Sequence, residues 1–168
     1  MSKRKSILIG MAAGLIWSVA LLWVAARFVA IPIFALMPTI MTAFLAPGLV
    51  MLLMVARLAQ RRFFDDDIID GEPFTTGSGA EIDQRVLTNT VEQLVLGLCI
   101  WPAAAVILAD DGPGVILMLG LNFAFARLLF WGGYRRSAPL RAFGFAASFY
   151  PTVLVALWTI WAFVSFGQ

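Results

Sequence analysis

Long apolar runs, each cut off by a short polar cluster, set the pattern of this chain. An uncharged run of 20 residues spans Ile7 to Ala26, about the length that crosses a hydrocarbon core. A second run carries Pro32, Pro38 and Pro47 and reaches Ala56. Taken as one straight helix, Ile7 to Ala56 would be about 75 Å long, more than twice the membrane core. The run therefore folds back near Arg27 to Pro32 and makes two spans. Polar sequence follows from Arg57 to Gln84. A third span is predicted from about Arg85 to Ala109, kinked at Pro102, and Asp110 to Gly114 reads as a tight turn. A fourth runs from about Val115 to Gly133 and a fifth from about Leu140 to Phe166, containing Pro151, with Ser137 and Pro139 suited to its start. The prediction is all-α: an integral membrane helical bundle of five spans.

Composition agrees with that class. Of 168 residues, 61% are hydrophobic and 13% charged, and the mean hydropathy is +0.91, far from the balance of a soluble domain. A net charge of +2, with arginines spread among the loops, excludes nucleic acid as a partner. No histidine is present and Cys99 stands alone, which removes histidine catalysis, most zinc sites and an intrachain disulfide. The acidic run Asp65 to Glu72 lacks the alternation of a calcium loop and reads as a solvated loop, so no metal site is expected. Cys99 reads as a small buried hydrophobe.

Basic residues set the expected orientation. With five spans, Lys3, Arg4, Lys5, Arg57, Arg61, Arg62, Arg135, Arg136 and Arg141 share one side, while Arg27 lies on the other. The positive-inside rule then puts the N-terminus and the 57–84 loop in the cytoplasm and the C-terminus opposite, in the inner membrane if the cell is bacterial. The first span reads as an uncleaved signal anchor, because it exceeds the usual signal-peptide core and no polar cleavage region follows it.

Charge inside the spans carries the candidate chemistry. Arg85, Asn89 and Glu92 recur at i, i+4 and i+7, so a cation, an amide and an anion share one helix face as that helix enters the membrane. Arg127 and Tyr134 are likewise seven apart, with Phe130 between them on the same side. Arg135, Arg136 and Arg141 follow; the first two read as ordinary headgroup anchors. Arginine forks hold carboxylates, and a tyrosine hydroxyl donates to an oxyanion or thiolate, so the set suits a small ligand bearing carboxylates.

The stretch Arg85-x-x-x-Asn89-x-x-Glu92, followed by Phe125-Ala-Arg127-Leu-Leu-Phe130-Trp-Gly-Gly-Tyr134-Arg-Arg-Ser-Ala-Pro-Leu-Arg141, resembles the MAPEG family, membrane-associated proteins of eicosanoid and glutathione metabolism. The resemblance covers roughly residues 38 to 166. It implies a four-helix core assembling as a homotrimer, here residues 31–168 with a cytoplasmic loop at about 57–84. Residues 1–30, the basic head and first span, form an extra N-terminal transmembrane helix outside that core.

The resemblance also implies glutathione as co-substrate, bound between subunits near the cytoplasmic side. Arg85, Asn89 and Glu92 match the family's glutathione-binding stripe. Tyr134 matches a tyrosine near the tripeptide, and Arg127 is expected to help hold it. Arg141 matches the arginine that, in the family's synthases, sits by the sulfur and favours the thiolate. Gln93 and Phe130 depart from the pattern, standing where the synthases carry tyrosines. The activity implied is a glutathione-dependent transferase or peroxidase acting on a lipophilic electrophile or hydroperoxide, with Arg141 and Tyr134 as its catalytic residues. The alternative is a non-enzymatic lipid-binding or scaffold protein of the same family. A small transporter ranks third, since no paired discontinuous helices are evident.

Overall fold

A computed structural model describes residues 2–166 of the chain, all in helices and short connections. Helix α1 (Lys3–Phe28) is N-capped by Ser2, whose Oγ accepts from the Lys5 amide. A 3-10 turn leads into α2 (Leu36–Ala43), and α3 (Leu45–Phe63) follows after a break at Phe44. Pro47 explains the break, because it lacks the N–H that would reach back to the Ala43 carbonyl. Helices α4 (Gly79–Ile107), α5 (Gly112–Arg136) and α6 (Ala138–Phe166) complete the chain. Five helical stretches are long and apolar enough to cross a membrane, α2 and α3 together forming the second. The chain is a multi-pass helical membrane bundle.

Several expected boundaries are corrected. The polar loop is far shorter than residues 57–84, since α3 continues to Phe63 and α4 starts at Gly79. The start of α4 is written in a variant of the capping box: the Ser78 Oγ accepts from the Glu81 amide at 3.1 Å, and the Glu81 carboxylate accepts from the amide of Gly77, the residue before the cap, at 2.6 Å. Gly112-Pro113-Gly114 opens α5 rather than forming a turn, proline being tolerated in a first helical turn. The reversal lies at Leu108 to Asp111, where Ala109 adopts φ 48°. Helix α4 runs through Pro102 and α6 through Pro151 without a break. Cys99 lies on an exposed face of α4, not in the core.

Neighbouring helices run antiparallel: Asp83 meets Trp131, Thr90 meets Arg127, and Asn122 meets Ala147. The main core is packed around Trp101, buried and stacked on Phe44 at 5.4 Å between ring centroids, with Phe123 edge-on at 5.8 Å. Helix α1 belongs to the same bundle and runs parallel to α6. Its Gly10 touches the Pro139 carbonyl and Gly14 lies on Ala146 so closely that a Cβ at either position would overlap them, the small-residue packing typical of membrane helices.

The end of the bundle where α1, α4 and α6 begin is tied by one buried carboxylate. Asp83, 2% exposed, accepts from Arg61 Nε at 2.5 Å, Trp131 Nε1 at 2.7 Å and Arg135 at 3.4 Å, joining α3, α4 and α5. Arg135 is therefore an ion-pair partner as well as a surface cation. Hydrogen bonds to charged groups contribute about 1.5–3 kcal/mol each. Asp83→Ala is expected to lower the stability of the detergent-solubilised protein by about 3 kcal/mol and Asp83→Asn by less, measured by thermal unfolding.

Candidate functional site

Arg127 anchors the site from inside the bundle. It sits nine residues before the end of α5, about 14 Å along the helix axis, and is fully buried. Its donors reach three neighbours: Nε to Thr90 Oγ1 at 3.0 Å, one terminal nitrogen to Asn89 Oδ1 at 3.0 Å, and the other to Ser148 Oγ at 3.4 Å. The guanidinium also lies over the Phe130 ring, 4.0 Å from its centroid. Among the described residues no carboxylate forms an ion pair with it. Asn89 passes the interaction on, its amide donating to Glu92 at 3.2 Å.

Gln93 belongs to the same network. It is buried on α4, and its Oε1 accepts from the Ser148 hydroxyl at 2.6 Å, while its Nε2 is buried without a hydrogen-bond partner among the described residues. Sequence reasoning missed Thr90, Ser148 and Asp83. Thr90 follows Asn89 directly, and a buried arginine with five N–H donors demands acceptors from its neighbours, but nothing in the sequence tells which residue of α6 faces it.

Arg141, Tyr134 and Asn89 border one open hollow of about 370 Å³ with Phe130, Phe145 and Ala142, and Ile7 and Met11 of α1 close its other side. The Arg141 guanidinium lies over the Tyr134 ring at 4.8 Å, and that ring stands edge-on to Phe130 at 5.3 Å. The close approach of α5 and α6 there depends on Gly133, where a Cβ would collide with the Arg141 backbone. Among the described residues no acid lines this hollow.

Arg85 and Glu92 do not reach it. They face a second, more polar hollow of about 320 Å³ on α4, lined by Glu81, Gln84, Arg85, Thr88, Asn89 and Glu92. Arg85 turns back to Glu81 at 2.6 Å. The expected stripe of Arg85, Asn89 and Glu92 thus shares one helix face, and only Asn89 borders both hollows. Among the described residues no cluster of acids and cysteine is arranged to hold a metal ion.

Chemically, the two hollows differ. The polar one presents an exposed carboxylate, an amide and a guanidinium, a donor and acceptor set that suits a small zwitterion. The other is apolar apart from Arg141, Tyr134 and Asn89, and offers a fixed cation to an anion or thiolate. Comparison with known proteins bears on this pair of sites. The model of the MAPEG family matches residues 35–161, a stretch that holds both hollows except the α1 wall. No curated protein and no solved structure matches the chain.

The Arg127 network allows a stability test. In Arg127→Met, Thr90 and Ser148 keep their backbone acceptors, Val86 at 2.7 Å and Gly144 at 3.1 Å, and an apolar replacement of a buried ionic group is often neutral. Asn89→Leu instead strips an acceptor from a buried cation, which costs about 1–3 kcal/mol. Thermal unfolding in detergent is therefore expected to show Asn89→Leu as the less stable variant.

Proposed function

The chain belongs to the MAPEG family, matched over well more than half its length, and from that premise we propose that it is a glutathione-dependent membrane transferase or peroxidase acting on a lipophilic electrophile or hydroperoxide. Family membership supports a membrane function in glutathione or eicosanoid metabolism in general. The observation that carries the finer reading is the placement of Arg141. Its guanidinium, free of any carboxylate ion pair among the described residues, lies over Tyr134 at the rim of an apolar hollow that meets the polar one at Asn89.

In this reading the polar hollow takes the tripeptide. Glu92 receives its amino group, Arg85 a carboxylate, and Asn89 marks where the sulfur turns toward Arg141. Arg127 positions Asn89 from behind and touches no substrate itself. Arg141 stabilises the thiolate electrostatically, lowering a thiol pKa that is ordinarily about 8.5. The thiolate donates its electron pair to the electrophilic carbon of the acceptor, a C–S bond forms, and the leaving group departs with the electrons of the broken bond. Tyr134 donates its hydroxyl to the sulfur or to the leaving group. Holding both partners fixed contributes by orientation.

We further propose a homotrimer in which a neighbouring subunit closes the polar hollow, with the N-terminus and the loop before α4 in the cytoplasm, in the inner membrane if the cell is bacterial. One observation favours the non-catalytic alternative. Within one subunit Arg85 and Glu92 line the polar hollow and not the Arg141 hollow, an arrangement that a scaffold or lipid-binding trimer without turnover would also tolerate.

A conjugation assay with glutathione and a chlorodinitrobenzene separates the two. Arg141→Ala is expected to lower kcat roughly 20-fold at pH 7, the loss produced by a thiol pKa about two pH units higher. The sign is fixed: the cation holds the thiol pKa down, so the deficit shrinks as pH rises through about 8.5 and the variant's thiol ionises too. Glu92→Ala is expected to weaken glutathione binding about tenfold, or 1.4 kcal/mol, by calorimetry. Wild-type protein that binds glutathione without turnover selects the scaffold. For assembly and orientation, native mass spectrometry is expected to give three times 18.4 kDa, and Thr76→Cys in a Cys99→Ala background is expected to take an impermeant maleimide only after cells are permeabilised.

A further inference from the structure

The outer side of α5 carries apolar surface and charge in a fixed order. Leu121, Phe125, Leu128, Gly132 and Arg135 recur alternately four and three residues apart, which places them on one helix face. Leu121, Phe125 and Leu128 are exposed there, as lipid-facing positions of a membrane helix are. The stripe runs into a hollow of about 340 Å³ lined by Leu128, Trp131, Gly132 and Arg135 of α5 and by Arg57 of α3. Arg57 lies six residues before the end of α3 and Arg135 one before the end of α5, so both guanidinium groups stand where long cationic side chains reach the headgroup level.

Two cations meet at this hollow, and among the described residues no acid lines it. Arg57 donates to Gln60 Oε1 at 2.7 Å and has no carboxylate ion pair among the described residues. Arg135 has only a 3.4 Å contact with Asp83, a carboxylate that already holds Arg61 and Trp131. Positive charge is therefore in surplus, and like charges brought together favour an anion between them. The rest of the hollow is shaped for a small group. The bond from Trp131 Nε1 to Asp83 fixes the indole as one wall, and Gly132 leaves the helix surface bare, since a Cβ there would meet only the Arg136 guanidinium, at 3.5 Å.

We propose that this hollow between α3 and α5 binds one anionic phospholipid, its phosphodiester held by Arg57 and Arg135 and an acyl chain following the stripe of Leu128, Phe125 and Leu121. Basic pockets between membrane helices are suited to such headgroups, and guanidinium forks match phosphate oxygens. The apolar stripe leading into the cations selects a phosphate that carries hydrocarbon over one free in water. A zwitterionic phospholipid fits less well, because its ammonium group would approach two guanidinium groups. The lipid would also clamp α3 to α5 from outside, at the same end where Asp83 ties them from within. None of the residues assigned to glutathione or its acceptor takes part, so this site and that reading stand or fall separately.

Native mass spectrometry of the full-length protein, titrated in detergent with dioleoyl phosphatidylglycerol or dioleoyl phosphatidylcholine, tests the site. Saturable uptake of one phosphatidylglycerol per subunit is expected, about tenfold tighter than phosphatidylcholine. Arg57→Gln removes a charge-assisted contact and is expected to weaken phosphatidylglycerol binding about tenfold. Gly132→Leu, which fills the hollow, is expected to lower it by a similar factor. Should Gly132→Leu fail to fold, Arg57→Gln keeps the test decisive, because the only hydrogen bond of the Arg57 side chain among the described residues is to Gln60. Lys5→Gln, at an exposed position of α1 at the same end of the bundle, is expected to bind as wild type, and millimolar glycerol 3-phosphate is expected not to displace the lipid. Equal uptake of the two lipids, or a loss in Lys5→Gln as large as in Arg57→Gln, would reduce the effect to diffuse surface attraction and overturn the proposal. Displacement by glycerol 3-phosphate would overturn it in favour of a soluble phosphate ligand. A smaller assembly in Arg57→Gln and Gly132→Leu with lipid uptake unchanged would overturn it in favour of a contact with a second copy of the chain.

Discussion

A guanidinium held deep inside an apolar bundle constrains everything around it. Water is not available there to satisfy its donors, so neighbouring helices must supply acceptors at fixed positions. Arg127 draws Asn89 and Thr90 from α4 and Ser148 from α6, and Ser148 in turn holds Gln93. This fixes the rotation of α4 and α6 about their axes relative to α5. Asn89 is thereby presented at the boundary of both hollows, and Phe130 is pinned beneath the guanidinium with Tyr134 against its edge. The geometry of the candidate site follows from that arrangement.

Two further devices work at other levels of the bundle. Asp83 gathers three donors near the end where α4 begins. Packing between apolar helices gains little from hydrophobicity in lipid, so close contact and hydrogen bonds must decide which faces meet. The glycines of α1 and the bridge from Trp17 through Asn122 to Ala147 do this for the first helix. Sequence comparison treats that helix as lying outside the family core, whereas its side chains help enclose the hollow beside Arg141.

The separation of polar and apolar hollows gives the two halves of the proposed reaction different environments. A charged peptide and a lipophilic acceptor have little in common physically, and one cavity would serve either poorly. Here Glu92 and Arg85 stand on an exposed helix face, while Arg141 stands over an aromatic ring beside aliphatic walls. Asn89 is the residue they share.

Much of this was legible in the sequence. Long uncharged runs can be stable only in lipid, so five spans, the all-α class and the reversal near Arg27 to Pro32 follow from length and hydropathy alone. Helical periodicity likewise put Arg85, Asn89 and Glu92 on one face, and Arg127 with Phe130 and Tyr134 on another, and the family resemblance rests on those same residues. The start of α4 was legible too, in Ser78-x-x-Glu81, although hydropathy draws the eye past it to Arg85. Periodicity, however, fixes angles only within a helix. The partner across an interface depends on rotation and register between helices, which small contacts such as Gly10 on Pro139 or Ser148 beside Arg127 decide. Only the tertiary structure could therefore turn Cys99 outward, pair Arg85 with Glu81, divide the polar residues between two hollows, and bring Ile7 and Met11 from the far end of the sequence to face Arg141.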